Sequence, residues 1–308
     1  MCSLLASSGH ECLVVDELST GHREAARWGR LEQASLLDAE RLDQIIAAER
    51  PDAVMHFAAL ALVGESVRDP ATYYSGNLVG TLNLLNAMRR HGVRRLVFSS
   101  TCAVYGEPQK LPLTEDHALN PVNPYGATKL AAERMIADFC AAYDLRAVAL
   151  RYFNAAGADA KAGIGESHTP ETHLIPSLLK GLKENRPVSI YGTDYSTRDG
   201  TCVRDYIHVM DLCRAHLLAL DYLTAHGGYT ALNLGTGTGY TVREIVAAAS
   251  AVAGQAIPVR EAQRRPGDPA VLVASNEKAK KHLGWQPEIT DIRAIIASAW
   301  DWHRNPRY

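Results

Sequence analysis

Short apolar runs alternate with longer amphipathic stretches from His10 to Tyr152, and few architectures accept that rhythm. His10–Val15 reads as a buried strand, followed by a Ser-Thr-Gly loop at Ser19–Gly21. Asp38–Glu49 reads as a helix, and Ala53–Phe57 as a strand running into Ala58-Ala59. Pro70 opens a helix that continues to about His91, where Gly92 stops it. Arg95–Ser100 is a strand, Asn123–Tyr143 a long helix and Arg146–Tyr152 another strand. Strands joined through helices pair in parallel, because only a hairpin brings neighbours together antiparallel without a crossover. The expectation is an α/β protein with helices on both faces of a parallel sheet and ligands at the strands' carboxyl ends.

After Phe153 the rhythm breaks. Ala155–Thr172 is rich in Gly, Ala and polar residues, has no period, and reads as a loop shaped by a ligand or a lobe. Val188–Tyr191, Ala231–Leu234 and Ile257–Arg260 read as short strands, and Val209–His226, Val242–Ala253 and Ile292–Arg304 as helices. The expected organisation is a first domain over residues 1–153 and a lobe over 154–308, with some segments returning to the first sheet. The 32 basic and 34 acidic residues nearly cancel, which gives no support to a nucleic-acid or polybasic membrane role. Six scattered cysteines without a C-x-x-C pair predict neither a metal centre nor a disulfide framework, and fit a reducing cytoplasm. No apolar run approaches the roughly 20 residues of a membrane span.

Chemistry concentrates at a few points. Tyr125 and Lys129, in Asn123-Pro-Tyr-Gly-Ala-Thr-Lys129, lie one helical turn apart on one face and can meet one ligand. A cation beside a phenol favours the phenolate, which would make Tyr125 a working base. Phe98-Ser-Ser-Thr101 ends a strand on small hydroxyls, and Thr101 can bond a substrate hydroxyl while Tyr125 takes its proton. Asp16 closes a strand, where its carboxylate can hold an adenosine ribose and disfavour a 2′-phosphate. Arg204 and Arg265 can clamp a diphosphate. Each of these also fits a structural role: a surface pair, a turn, a polar strand end, a salt bridge. Gly235-Thr-Gly237-Thr-Gly239 reads as a tight strand-to-helix turn, with Thr241–Glu244 a capping box behind it, and His208 reads as packing.

These residues belong to longer stretches: Asp16-Glu-Leu-Ser-Thr-Gly-His22, His56-Phe-Ala-Ala59, Val63-Gly-Glu-Ser66, Tyr73-Tyr-Ser-Gly-Asn77, Ser99-Ser-Thr101 and Val104-Tyr-Gly106. Pro124–Lys129, Leu150-Arg-Tyr-Phe-Asn154 and Gly200–Asp211 continue the series. In this order the chain resembles the UDP-glucose 4-epimerases of the extended short-chain dehydrogenase/reductase family, from Met1 nearly to its end. The resemblance implies a Rossmann-type doubly wound parallel sheet and a smaller α/β lobe that binds a UDP-sugar. It implies a retained NAD, with Tyr125 as base at the sugar C4, Thr101 assisting, and Lys129 on the nicotinamide ribose. Asp16, Glu17, Leu18, Ser19, Ser35, Leu36, Phe57, Ala58, Ala59, Asn77 and Phe153 fall at cofactor positions, together with Thr101, Tyr125 and Lys129. Asn154, His173, Leu174, Ser189, Tyr191, Arg204, Arg265 and Asp268 fall at sugar-nucleotide positions, with Thr101 and Tyr125. It also implies a homodimer formed through Pro70–His91 and Asn123–Tyr143.

Departures from the pattern qualify these expectations. A G-x-G-x-x-G loop should precede Asp16 by about 20 residues, and neither it nor its strand is in the sequence. Met1–His10 reads as the tail of the helix that loop should open, so the expected reading frame begins upstream and the chain as given holds NAD weakly. Ser35 stands where many relatives carry Asp, Ala61 where some carry Lys, and Leu272 near a position linked to N-acetylated sugars. Cys102-Ala103 replace the Asp-Glu pair of sugar-nucleotide 4,6-dehydratases, which favours epimerisation over elimination. The sugar stays open among UDP-hexose, pentose, uronate and N-acetylhexosamine. A cofactor-deficient, nonenzymatic fragment is the alternative of another class.

Overall fold

The computed structural model describes residues 1–265 and 267–308; Pro266, within the Arg264–Asp268 stretch, lies outside the described residues. The first half runs α1 (Cys2–Ser7), β1 (Leu13–Asp16), β2 (Arg30–Gln33), α2 (Ala39–Glu49), β3 (Val54–His56), α3 (Val63–Arg68), α4 (Pro70–Tyr73) and α5 (Gly80–Arg90). It closes with β4 (Arg95–Thr101), α6 (Pro124–Tyr143) and β5 (Arg146–Tyr152). The second half begins β6 (Asn154–Ala156), α7 (Leu174–Lys183), β7 (Val188–Tyr191), β8 (Val203–His208), α8 (Val209–Ala225) and β9 (Gly228–Leu234). It ends with β10 (Gly239–Thr241), α9 (Val242–Ala253), β11 (Val259–Ala262), β12 (Val271–Leu272), α10 (Glu277–Leu283) and α11 (Ile292–Arg304).

Strands β3, β4, β5 and β9 form a parallel sheet in that order, while β1 and β2 pair as a separate parallel unit. Alternation along β4 and β5 shows why the sheet is covered twice. Leu96, Phe98, Ala147 and Ala149 join the core that contains residues of α2, α5 and α6. Val97, Val148 and Leu150 join the opposite core, with Leu212, Ala219 and Leu223 of α8 and Trp285 beyond α10. Side chains that alternate between two apolar layers are what a doubly covered sheet requires.

The second half contributes β9 to this sheet and otherwise builds its own layers. β8 pairs antiparallel with β10 and parallel with β6 and β12, and β7 pairs with β11. Helices α7, α9 and α11 bury Ile175, Leu178, Leu179, Ile245, Ile295 and Ile296 in a common core. Burial of each such side chain stabilises by about 1.5–3 kcal/mol. The Thr241–Glu244 capping box forms with both of its hydrogen bonds and starts α9.

Two expected elements differ. The Pro70–His91 helix is interrupted by a wide π-helical turn at Tyr74–Val79, which places Asn77 inward. The strand expected at Ile257–Arg260 lies at Val259–Ala262, because pairing with β7 fixes its register at Val259 opposite Val188.

Candidate active site

Helix α6 presents the central side chains. Asn123 caps it by accepting a hydrogen bond from the Gly126 N–H at 2.9 Å, and Pro124 presets the first turn. Tyr125, Lys129 and Glu133 then follow at four-residue spacing along one face. Lys129 is only 3% exposed; its ammonium donates to the Ser99 carbonyl at 2.8 Å and lies 4.8 Å from the Phe98 ring centre. Thr101 ends β4, buried, and its Oγ1 accepts the Ala103 N–H at 3.1 Å. The α6 face and the carboxyl end of β4 therefore meet.

Burial holds the Tyr125 proton above the ordinary phenol range, Tyr152 adds to the effect, and the Thr101 hydroxyl opposes it. Desolvation lowers Lys129 to about 8, against the pull of Glu133.

The Lys129 shift has a measurable sign. Between pH 8 and 10.5 the folded chain binds fewer protons at this group than the unfolded chain, so stability rises with pH through that window. Wild type should gain up to about 3 kcal/mol on Lys129→Met across it. Denaturant titrations that show a pH-independent difference between the two proteins refute this.

Beneath the Tyr–Lys face lies a polar network that the sequence reading missed. Glu133 and Arg151 form a buried, forked ion pair with contacts of 2.5, 3.0 and 3.2 Å. Glu133 also accepts from the Ser100 hydroxyl and from Tyr229 Oη at 2.9 Å. Arg151 donates to Tyr105 Oη at 3.0 Å, and Tyr105 passes the chain on to Asn233 at 2.6 Å. Ser100 adjoins Thr101, so the network pins the tip of β4 to α6. Lys129-Leu-Ala-Ala-Glu133 carried the available signal: an acid one turn beyond the lysine on the same face.

The cofactor-assigned residues divide by role. Asp16 ends β1 and accepts the Leu18 N–H at 2.8 Å, with Leu18 in the left-handed region at φ 60°. Glu17 bonds Ser19 at 2.8 Å, Ser35 accepts the Leu37 N–H at 3.3 Å, and Leu36 gives its carbonyl to Asn83 at 2.9 Å. Phe57, Ala58 and Ala59 are exposed beyond the end of β3, with the Phe57 ring 4.7 Å from that of His216. Asn77 is buried and fully engaged. It bonds both backbone groups of Leu60, at 2.8 and 3.0 Å, and Thr128 at 3.1 Å. Its side chain thus shapes the loop after β3. Phe153 packs with Val104, Tyr105, Leu130 and the partly buried Leu272.

The sugar-nucleotide set gathers on the second half. Asn154 donates to the Asp205 carbonyl at 2.9 Å. Arg204 is buried, donating to its neighbour Val203's carbonyl at 2.7 Å and pairing with Asp268. The exposed Arg265 lies 4.0 Å over the Tyr191 ring, and Ser189 accepts from Arg260 at 3.0 Å. His173 stands at the N-cap position of α7 without a side-chain capping bond, its Nδ1 meets Glu166, and Leu174 starts the helix. Among the described residues no hydrogen bond or ion pair joins this set to Tyr125.

Two nearby features exclude other chemistry. The Gly235–Gly239 turn is occupied from within: buried Asp205 accepts from Thr236 at 2.9 and 2.7 Å, Gly237 at 3.0 Å and Ala274 at 3.2 Å. A carboxylate there takes the donors that a phosphate would need. Burial pushes the Cys102 thiol up to about 12, so it stays neutral beside Thr101 and supplies no acid–base pair for elimination.

Residues 1–235 match the NAD dependent epimerase/dehydratase family. A UDP-glucose 4-epimerase of Rhizobium leguminosarum bv. trifolii is 51% identical over 98% of this chain and 92% of its own length. The solved UDP-glucose 4-epimerase of Brucella ovis, in complex with NAD, superposes with a TM-score of 0.94 at 49% identity, over 97% of this chain and 93% of that one. That of Bifidobacterium longum, with NAD+ and UDP, gives 0.93 at 37% identity, over 99% and 94%. Sequence and fold agree, and the chain belongs to the NAD dependent epimerase/dehydratase family, on the branch that holds the UDP-glucose 4-epimerases.

Proposed function

We propose that the chain interconverts UDP-glucose and UDP-galactose by inverting C4, with NAD as a recycled cofactor. The observation that carries this reading is the meeting of Tyr125, Lys129 and Thr101 at the carboxyl end of β4, in a chain with UDP-glucose 4-epimerase relatives. The residues present fit NAD at two ends. Asp16 Oδ1 is occupied by Leu18, which leaves Oδ2 to accept from a ribose hydroxyl. Gly21 keeps that side open, since a Cβ there would stand 3.2 Å from the carboxylate. Lys129, Phe57 and Phe153 would border the nicotinamide half.

When bound, NAD supplies a reversible hydride acceptor for the sugar C4. The Thr101 hydroxyl orients the C4 hydroxyl, and Tyr125 moves its proton out and back. Lys129 keeps positive charge beside the ribose. Arg204 and Arg265 hold the diphosphate, so the hexose can present either face of C4 without leaving. On this assignment residues 1–153 serve the cofactor and 154–308 mainly the sugar nucleotide. Purified protein supplied with UDP-galactose and NAD should form UDP-glucose, read by proton NMR of the anomeric signals. UDP binding without hexose interconversion rejects the reading, and a panel of pentose, uronate and N-acetylhexosamine nucleotides ranks the sugar.

The same reading includes a homodimer. Val67 on α3, Tyr74 and Val79 in the wide turn, Leu82 on α5 and Tyr143 on α6 are large apolar side chains left exposed. Leu82→Glu should halve the solution mass measured by light scattering; an unchanged mass places the interface elsewhere. Among the described residues no helix is long and apolar enough to cross a membrane. The cytoplasm is the compartment proposed, in keeping with six free cysteines.

A further inference from the structure

We propose that Glu166, His168, Glu171 and His173, two half-buried carboxylates and two exposed imidazoles, form a site for a divalent transition metal, zinc foremost, at the entry to α7. One ligand atom from each lies within 4.8 Å of the other three. Glu166 Oε1 meets Nδ1 of His168 at 3.1 Å and Nδ1 of His173. The two imidazoles stand 5.6 Å apart at 70°, so their nitrogens approach one point from two directions. Glu171 provides the independent observation. Its Oε1 accepts the Thr172 and His173 N–H groups at 2.8 and 2.9 Å, while its Oε2 is buried without a hydrogen-bond partner. A buried carboxylate oxygen left unpartnered is costly, and a cation at the shared point would satisfy it.

The donor set selects the ion. Zinc binds imidazole nitrogen and carboxylate oxygen at about 2.0–2.2 Å in a tetrahedron, which sets its ligand atoms roughly 3.3–3.6 Å apart. Two carboxylates and two neutral imidazoles cancel a divalent charge, whereas magnesium and calcium prefer oxygen alone. Four protein ligands leave no open position, so the ion is structural. The backbone is held for this purpose: Trp302 on α11 donates its indole N–H to the Glu166 carbonyl at 2.9 Å. The ion would tie the segment before α7 to the helix that begins at Leu174, and would take the His173 side chain out of the sugar-nucleotide set. Glu166-x-His168-x-x-Glu171-x-His173 contains no cysteine, so no C-x-x-C signal marks it in the sequence.

The test uses the full chain, purified without immobilised metal, stripped with EDTA and titrated with zinc against a chromophoric chelator. The expected result is about one zinc per chain with Kd below about 1 μM and a rise of several degrees in Tm. His168→Ala and Glu171→Gln should each weaken zinc binding about tenfold or more, while magnesium leaves the titration unchanged. Weaker wild-type binding, or variants that bind zinc as tightly as wild type, overturns the site. Should a variant misfold, the wild-type Kd and stoichiometry decide alone.

Discussion

Replacing Tyr125 with phenylalanine is expected to lower kcat for UDP-galactose by about 10²- to 10⁴-fold, the range supplied by a positioned acid–base group. The substitution deletes one oxygen and keeps the ring. Tyr125 Oη makes no direct hydrogen bond within the described structure beyond its proximity to Thr101, so little stability depends on it. UDP affinity should stay close to wild type, because the groups assigned to the diphosphate belong to β8 and the segment after β11. Stopped assays for turnover, with calorimetry for UDP, separate the two quantities. Equal turnover in the two proteins removes Tyr125 from the reaction. A parallel loss of UDP binding would mean that the substitution damaged the lobe instead.

The second large effect falls on stability. Glu133→Gln or Arg151→Met leaves one buried charge facing a neutral partner, and breaking such a pair costs about 3–5 kcal/mol. Both residues are at most 4% exposed, which keeps water from compensating. The loss should propagate, because Ser100, Tyr105 and Tyr229 also bond the pair. Urea midpoints read the cost directly. A joint Glu133→Gln, Arg151→Met replacement should recover part of it, since neither charge is then stranded. Strict additivity of the single losses would show that the two groups act independently.

Local rules made much of the sheet legible. Arg146–Tyr152 alternates between two apolar layers, and Asn123-Pro124 starts a helix by cap and ring geometry, so both elements stand where the sequence puts them. Helix α7 was not legible, because Pro176 reads as a breaker although it lies in the first turn, where its missing N–H has no cost. Strand β8 was hidden for another reason. All six of its residues are buried, including Arg204, Asp205 and His208, so no polar face alternates with an apolar one. β2, Arg-Leu-Glu-Gln, is defined by its pairing with β1 rather than by its composition. At the site, the Tyr125–Lys129 spacing showed because both residues share one helix. Glu133 and Arg151 did not, since their pairing joins a helix to a strand and only the packed fold unites them.

Arg146 pairs with Gly228, and the register continues to Tyr152 opposite Leu234. During synthesis β5 therefore leaves the ribosome long before the strand that covers its edge. At about 5–20 residues per second the edge waits roughly 4–16 s. Throughout that interval β5 offers unsatisfied backbone groups along an apolar strand, an invitation to other nascent chains. The order of the strands thus makes the newborn protein dependent on whatever shields that edge, and production in cells should respond to chaperone supply more than the finished fold's stability suggests.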